Sequence, residues 1–267
     1  MMDVRTSGEA YVDGCHLFDV LPPGCSGPGE FIYFAALDHF KVDTEAAREF
    51  FVSDYYPGNI LHETVHLLQM AHPYRRFGGY RSYSSPAYLS EGQAELVKFL
   101  SGISAERNWQ RVAENLNYYE PARQNPWFQP YDMGGPLMLF LHELGGEGFS
   151  QKFIDRMYDT DHHHNSLLEP IFEIPEPLLY ASFYGALLFD GTSIGESTGL
   201  QFNSFDLERE LRGVRPPVAM MSEADSATAE RTFTGAGIFG IEHDEAVWVE
   251  LASSPEPAYV LVITPEH

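Results

Sequence analysis

The chain has 267 residues, enough to bury a sizeable core in one large domain or two small ones. Its 16 Lys and Arg against 39 Asp and Glu give a formal charge of -23, which repels both a nucleic-acid backbone and an anionic bilayer. The longest apolar runs fall far short of the roughly 20 residues that a membrane-spanning helix needs. We therefore expect neither nucleic acid nor membrane as a partner.

The first 40 residues have the composition of strands and turns. "YVDGCHLFDVL" and "GEFIYFAAL" are rich in β-formers, and a Pro/Gly/Ser stretch separates them. Cys15 and Cys25 flank the turn sequence "LPPG", so they form either a disulfide or two free thiols, and a disulfide would argue for export. No signal-peptide pattern is visible. The compartment stays open between secretion, which is favoured, and the cytoplasm.

From Asp43 the pattern changes to helix. "DTEAAREFFV" opens with residues that cap helices, "YYPGN" predicts a break, and the next helix is expected from about Ile60. A third helix is predicted from Ser85-Pro86 to Gly102. "GGPLMLFLHELGG", "SQKFIDRMY" and "PLLYASFYGALLF" predict three more, with a loop at "DHHHN".

After about residue 195 short β-like pieces return, such as "AVWVEL" and "AYVLVIT". A helical middle between two strand-rich ends predicts an α+β fold. We expect a catalytic domain over residues 1–195, with an N-terminal sheet and a helical lower lobe, and a small β-rich region over residues 196–267.

The pentad "HETVH" is the strongest chemical motif. On a helix, His62 and His66 lie one turn apart on one face, so both can direct a ring nitrogen at one metal ion, with Glu63 beside it. By itself the motif is suggestive rather than decisive, because an ordinary amphipathic helix can hold two histidines.

A catalytic zinc ion needs a third protein ligand and an open position for water. His72 falls where the metzincin signature places its last histidine, but that signature has a glycine where this chain has Gln69. Glu91, in "YLSEGQAEL", is the other candidate. It shares a helix face with Glu95, so one carboxylate can bind the metal while the other accepts the second N–H of a ligand histidine.

Together, "HETVH", "YLSEGQAEL" and "YDMGGPLMLFLHELGG" resemble the gluzincin metallopeptidases, in which the same three motifs occur in this order. Within them, the order of segments is most similar to the hyicolysin-like secreted peptidases. The aminopeptidase branch has a G-x-M-E-N strand, whereas "GPGEF" offers Glu30 without Met or Asn.

The resemblance implies a zincin-like fold and one Zn²⁺ per chain held by His62, His66 and Glu91. It implies hydrolysis of a peptide or protein substrate, with Glu63 as the general base. It also gives Tyr131 the role of stabilising the transition state, and Glu95 a supporting contact to a ligand histidine.

Three other functions stay open at this point. They are a metzincin-type peptidase that uses His72 as the third ligand, a zinc hydrolase acting on an ester or epoxide, and a catalytically silent zinc-binding module. The oligomeric state is unknown from the sequence.

Overall fold

The fold is known from a computed structural model that describes residues 10–12, 32–34, 44–77, 87–118, 130–157, 167–214, 219–221 and 239–241. Helices dominate this part of the chain. In order they are α1 Glu45–Phe50, a π-helical turn Phe51–Tyr55, α2 Tyr56–Phe77, α3 Ala87–Ser101, α4 Ala105–Tyr118, α5 Pro130–Gly145, α6 Phe149–Met157, α7 Glu169–Phe172, α8 Glu176–Phe189, α9 Ser193–Thr198 and α10 Leu207–Glu210.

The predicted α+β class is wrong, because the interpretable part of the chain is 79% helical and therefore all-α. Strand geometry among the described residues is limited to four three-residue segments: β1 Ala10–Val12, β2 Ile32–Phe34, β3 Ala219–Met221 and β4 Phe239–Ile241. They pair two by two, β1 antiparallel to β2 and β3 parallel to β4. Within the described ranges each ladder has two strands, which is smaller than the sheet that the composition predicts.

The helix that carries the histidines begins earlier than predicted. Thr44 caps α1 by accepting a hydrogen bond from the Ala47 amide, as its sequence indicates. The expected break at "YYPGN" is absent, because the π-helical turn leads directly into α2 at Tyr56. Gly58 lies inside α2 and packs closely against Ser104, since a Cβ at this position would lie 2.4 Å from the Ser104 hydroxyl oxygen.

Helices α3 and α5 make the most extensive contact between described elements. Their backbones touch at two glycines: a Cβ on Gly92 would lie 2.4 Å from the Gly134 carbonyl oxygen, and one on Gly134 would lie 2.3 Å from the Tyr88 carbonyl oxygen. Such approach is open only to residues without a side chain. Gly92, which follows Glu91, and Gly134 on α5 therefore set how closely α3 packs against α5.

The core is centred on α5. Its apolar residues from Leu137 to Leu141 are almost completely buried and pack with side chains from α3, α4, α6 and α8. The predicted helices at α1, α3, α5, α6 and α8 are confirmed. Helix α4 was not predicted, although Trp109 and Val112 form a buried stripe on it.

In the C-terminal region, residues 196–214 are helix and turn, whereas the described segments 219–221 and 239–241 are the strands β3 and β4. The Asp190 carboxylate, buried at the end of α8, accepts hydrogen bonds from the Phe202 and Leu207 amides. Leu207 and Leu211 belong to the same core as α5. The division at residues 195 and 196 stays a prediction. No helix in the described ranges is long and apolar enough to cross a membrane.

Candidate metal centre

Helix α2 places two imidazole rings side by side. His62 and His66 are one turn apart, their ring centroids are separated by 4.7 Å, and the rings are nearly perpendicular. Their Nε2 atoms are 3.1 Å from each other, and both side chains are buried. The i, i+4 spacing thus brings one nitrogen from each ring to a common point.

Helix α3 brings Glu91 to that same point. Its Oε2 atom lies 3.1 Å from His62 Nε2 and 3.1 Å from His66 Nε2. The three ligand atoms come from two helices and form a triangle with nearly equal sides. This group of two histidines and a glutamate can hold a metal ion.

The second nitrogen of each ring has its own acceptor. His66 Nδ1 is 2.8 Å from Gln69 Oε1, and His62 Nδ1 is 2.8 Å from Glu95 Oε1. Gln69 donates through Nε2 to the Ser90 carbonyl, which fixes its amide so that the oxygen faces His66. Each Nδ1 therefore donates, and both Nε2 lone pairs face the Glu91 carboxylate.

Three acceptors that converge at 3.1 Å require a cation between them or protons on the rings. In the metal-free protein burial favours neutral His62, but hydrogen bonds with Glu91 and Glu95 outweigh this effect and raise its pKa. Burial likewise raises the pKa of Glu91, yet hydrogen bonds from both histidines lower it to about 2. The centre is thus built around positive charge.

Glu95 anchors His62 from behind. The residue is 1% exposed, its Oε1 accepts from Lys98 Nζ at 2.7 Å, and its Oε2 accepts from Asn108 Nδ2 at 2.8 Å. Burial alone raises the pKa of Glu95, but the His62 hydrogen bond and the Lys98 charge bring it down to about 2. The carboxylate is therefore ionised and fixed in place, which orients the His62 ring.

Glu63 lies next to the first histidine and is 7% exposed. Burial raises the pKa of its carboxyl, and the nearby charges of His62 and His66 offset this only in part. No hydrogen bond or ion pair ties it to another described residue. A carboxylate with a raised pKa and free oxygens is suited to accept a proton.

His72 is not part of this centre. Its Nε2 lies 3.0 Å from Asp155 Oδ1 on α6, so it links α2 to the outer helix. Tyr131 belongs to the first turn of α5, but its side chain lies outside the described residues, as do Glu30, Cys15 and Cys25.

Three residues that support the ligands were not predicted: Gln69, Lys98 and Asn108. Gln69 and Lys98 follow His66 and Glu95 by three residues, a spacing that places them on the same helix face and is readable from the sequence. Asn108 comes from α4 and gave no comparable signal, because its contact with Glu95 is between helices.

Comparisons of the chain with protein-family models, with curated proteins and with solved structures gave no match. The chemistry of this centre is therefore inferred from its own residues.

Proposed function

We propose that this chain is a zinc-dependent metallopeptidase whose metal ligands are His62, His66 and Glu91. The observation that carries the proposal is the convergence of two imidazole Nε2 atoms and one carboxylate oxygen, each 3.1 Å from the others. A catalytic zinc site of this type has three protein ligands and keeps its fourth position open.

The spacing of the donor atoms supports zinc. Zinc binds histidine nitrogen and carboxylate oxygen at about 2.0–2.2 Å, so two corners of a tetrahedral site are roughly 3.3 Å apart. The separations of 3.1 Å in this centre agree with that value to within a few tenths of an ångström. Both rings also donate a hydrogen bond from Nδ1, His66 to Gln69 and His62 to Glu95. Histidines that bind zinc through the other ring nitrogen almost always make such a bond, which fixes the orientation of the ring.

When bound, zinc supplies a Lewis acid that polarises the scissile carbonyl and acidifies the attacking water. Glu63 takes the proton from that water at its carboxylate. The water oxygen forms a bond to the carbonyl carbon, and the C–N bond then breaks. Glu63 returns the proton to the leaving amine, so the products are a carboxylic acid and an amine.

The other residues position this machinery. Glu95 and Gln69 hold the two rings through their Nδ1 atoms. Tyr131 is proposed, from the resemblance alone, to donate a hydrogen bond to the negative charge that develops on the carbonyl oxygen.

The first test is Glu63→Gln, which keeps the shape of the side chain and removes the base. We expect zinc content to stay near one ion per chain and peptide hydrolysis to be lost, measured by elemental analysis and by mass spectrometry on a random peptide library. Glu147→Gln, at an exposed position on the turn before α6, is the matched control. Unchanged turnover in Glu63→Gln rules out this mechanism.

The second test concerns the third ligand. Glu91→Ala should lose zinc, and His72→Ala should retain it, because His72 is engaged with Asp155. Loss of zinc only in His72→Ala would instead indicate the metzincin arrangement. If the natural chain binds zinc and hydrolyses esters or epoxides but no peptides, its activity belongs to another class of hydrolase.

A further inference from the structure

A small pocket lies behind the metal centre, where the π-helical turn, the start of α2, the end of α3 and α4 meet. Its volume is about 40 Å³. The polar residues that line it are Asn59, Lys98, Ser104, Arg107, Asn108 and Arg111. Three of the 16 Lys and Arg of the chain thus meet here, and the described lining contains none of its 39 Asp and Glu.

Hydrogen-bond donors are in excess around this pocket. Lys98 is 5% exposed, and within the described residues its ammonium makes one hydrogen bond, to Glu95, although it carries three N–H groups. Asn108 is also buried and gives one of its two amide N–H groups to Glu95. Buried donors normally have partners, so a further acceptor is expected here.

Arg107 adds a positive charge to the wall of the pocket. Its guanidinium carbon lies 4.8 Å from the centre of the Tyr55 ring and 5.6 Å from that of Phe50. These contacts engage the faces of the rings and hold the guanidinium in place. No ion pair joins Arg107 to another residue in the ranges that the structure describes, whereas the charge of Lys98 is offset by Glu95.

A wider cavity of about 580 Å³ adjoins the pocket and shares Arg107 and Arg111 with it. Its lining also includes Asp54, Glu106 and Glu114, which repel an anion in proportion to its charge. A monovalent ion therefore enters more readily than a phosphate or sulfate.

We propose that the pocket binds one small monovalent anion of the chloride type. By the same measure a cavity needs about 10–15 Å³ to hold one water molecule, so the pocket has room for one small ion and a water beside it. An anion satisfies the remaining donors of Lys98 and Asn108 and places a negative charge beside Arg107, whereas a water molecule brings no charge. The site does not depend on the proposed peptidase activity.

The pocket shares its walls with the support of the metal ligand. Lys98 and Asn108 hold Glu95, and Glu95 contacts His62. An anion that keeps these two residues in position stabilises the arrangement that orients the ring. Anion binding is thus expected to raise the stability of the helical core around α3 and α4.

The first test is thermal unfolding of the full chain in chloride and in gluconate at equal ionic strength. Chloride should raise the unfolding midpoint with saturation, and at ten times its dissociation constant it increases the folding equilibrium constant about 11-fold. Asn59→Asp puts a fixed carboxylate into the pocket. This variant should unfold in gluconate at a midpoint no lower than that of the natural chain, because the carboxylate takes the place of the anion, and it should lose the chloride-dependent rise.

Gln201→Glu is the control, because it makes the same change of charge and group outside the pocket lining. It should keep the full chloride response. An equal response to chloride in Asn59→Asp and in the natural chain overturns the proposal, as does a response that never saturates.

The second measurement is anomalous diffraction from crystals of the full chain grown in bromide. A bromide peak within hydrogen-bond distance of Lys98 and Arg107 supports the site. Absence of a peak there overturns it. A peak that accompanies no saturable chloride effect in solution marks an adventitious ion only and also overturns it.

Discussion

Replacing Gly92 by alanine is expected to pull Glu91 away from the two histidines. The new Cβ would lie 2.4 Å from the Gly134 carbonyl oxygen and 2.6 Å from its carbonyl carbon. Both are backbone atoms in the second turn of α5, so no side-chain rotation relieves the clash. Helix α3 must move outward instead.

The size of the movement follows from these distances. Ordinary contact with a Cβ begins at 3.4 Å, so the two helices must separate by about 1 Å (3.4 minus 2.4) at this point. The Glu91 oxygen, now 3.1 Å from each histidine nitrogen, would shift by a similar amount. Metal–ligand distances tolerate about 0.2 Å, so the affinity for zinc should fall by at least roughly 10–100-fold.

Overpacking of this kind also destabilises the fold by about 1–3 kcal/mol, which corresponds to a fall of roughly 2–12 °C in the unfolding midpoint. Both effects are measurable, by a zinc titration against a competing chelator and by thermal unfolding. Gly148→Ala is the matched control, because the nearest atom to its added Cβ is 3.9 Å away. If Gly92→Ala has the same zinc affinity and the same unfolding midpoint as the control, α3 and α5 are not in close contact at this position.

Three further outcomes are expected. Gln69→Ala should lower zinc affinity roughly 10–100-fold in a chelator titration, because His66 loses the acceptor at Nδ1, and an unchanged affinity would contradict this role. In the metal-free protein the pKa of Glu91 and of Glu95 falls from 4.5 to about 2, so the stability they give is present above pH 4.5 and is lost as the pH falls toward 2. Circular dichroism should follow this loss, and Glu95→Gln should make it shallower; equal slopes in both chains would speak against it. Burial raises the pKa of Glu176, so its ionised form costs stability as the pH rises above 4.5, and Glu176→Gln should gain more stability at about pH 8 than at about pH 4. An equal gain at both pH values in thermal unfolding would be inconsistent with that cause.

Local patterns predicted most of the helices that carry the centre. The i, i+4 spacing of His62 and His66 depends only on the period of the helix, and the same holds for Glu91 and Glu95. Helix α4 could also have been predicted, because Trp109 and Val112 have the spacing of residues on one face of a helix, and both are buried. The α+β class was wrong for a different reason: β-propensity reflects cross-strand packing, which a single segment does not reveal. The β-like segments "AVWVEL" and "AYVLVIT" lie outside the described residues.

By itself, then, the sequence determined which side chains share a helix face, because that relation is set by neighbouring residues. The tertiary structure alone decided that the His62–His66 face meets Glu91 at 3.1 Å, and that His72 lies against Asp155 instead. These distances depend on how closely α3 packs against α5. That packing is set by the contact of the two backbones at Gly92 and Gly134. Contacts between helices distant in sequence arise from packing of the whole core, and no local pattern encodes them.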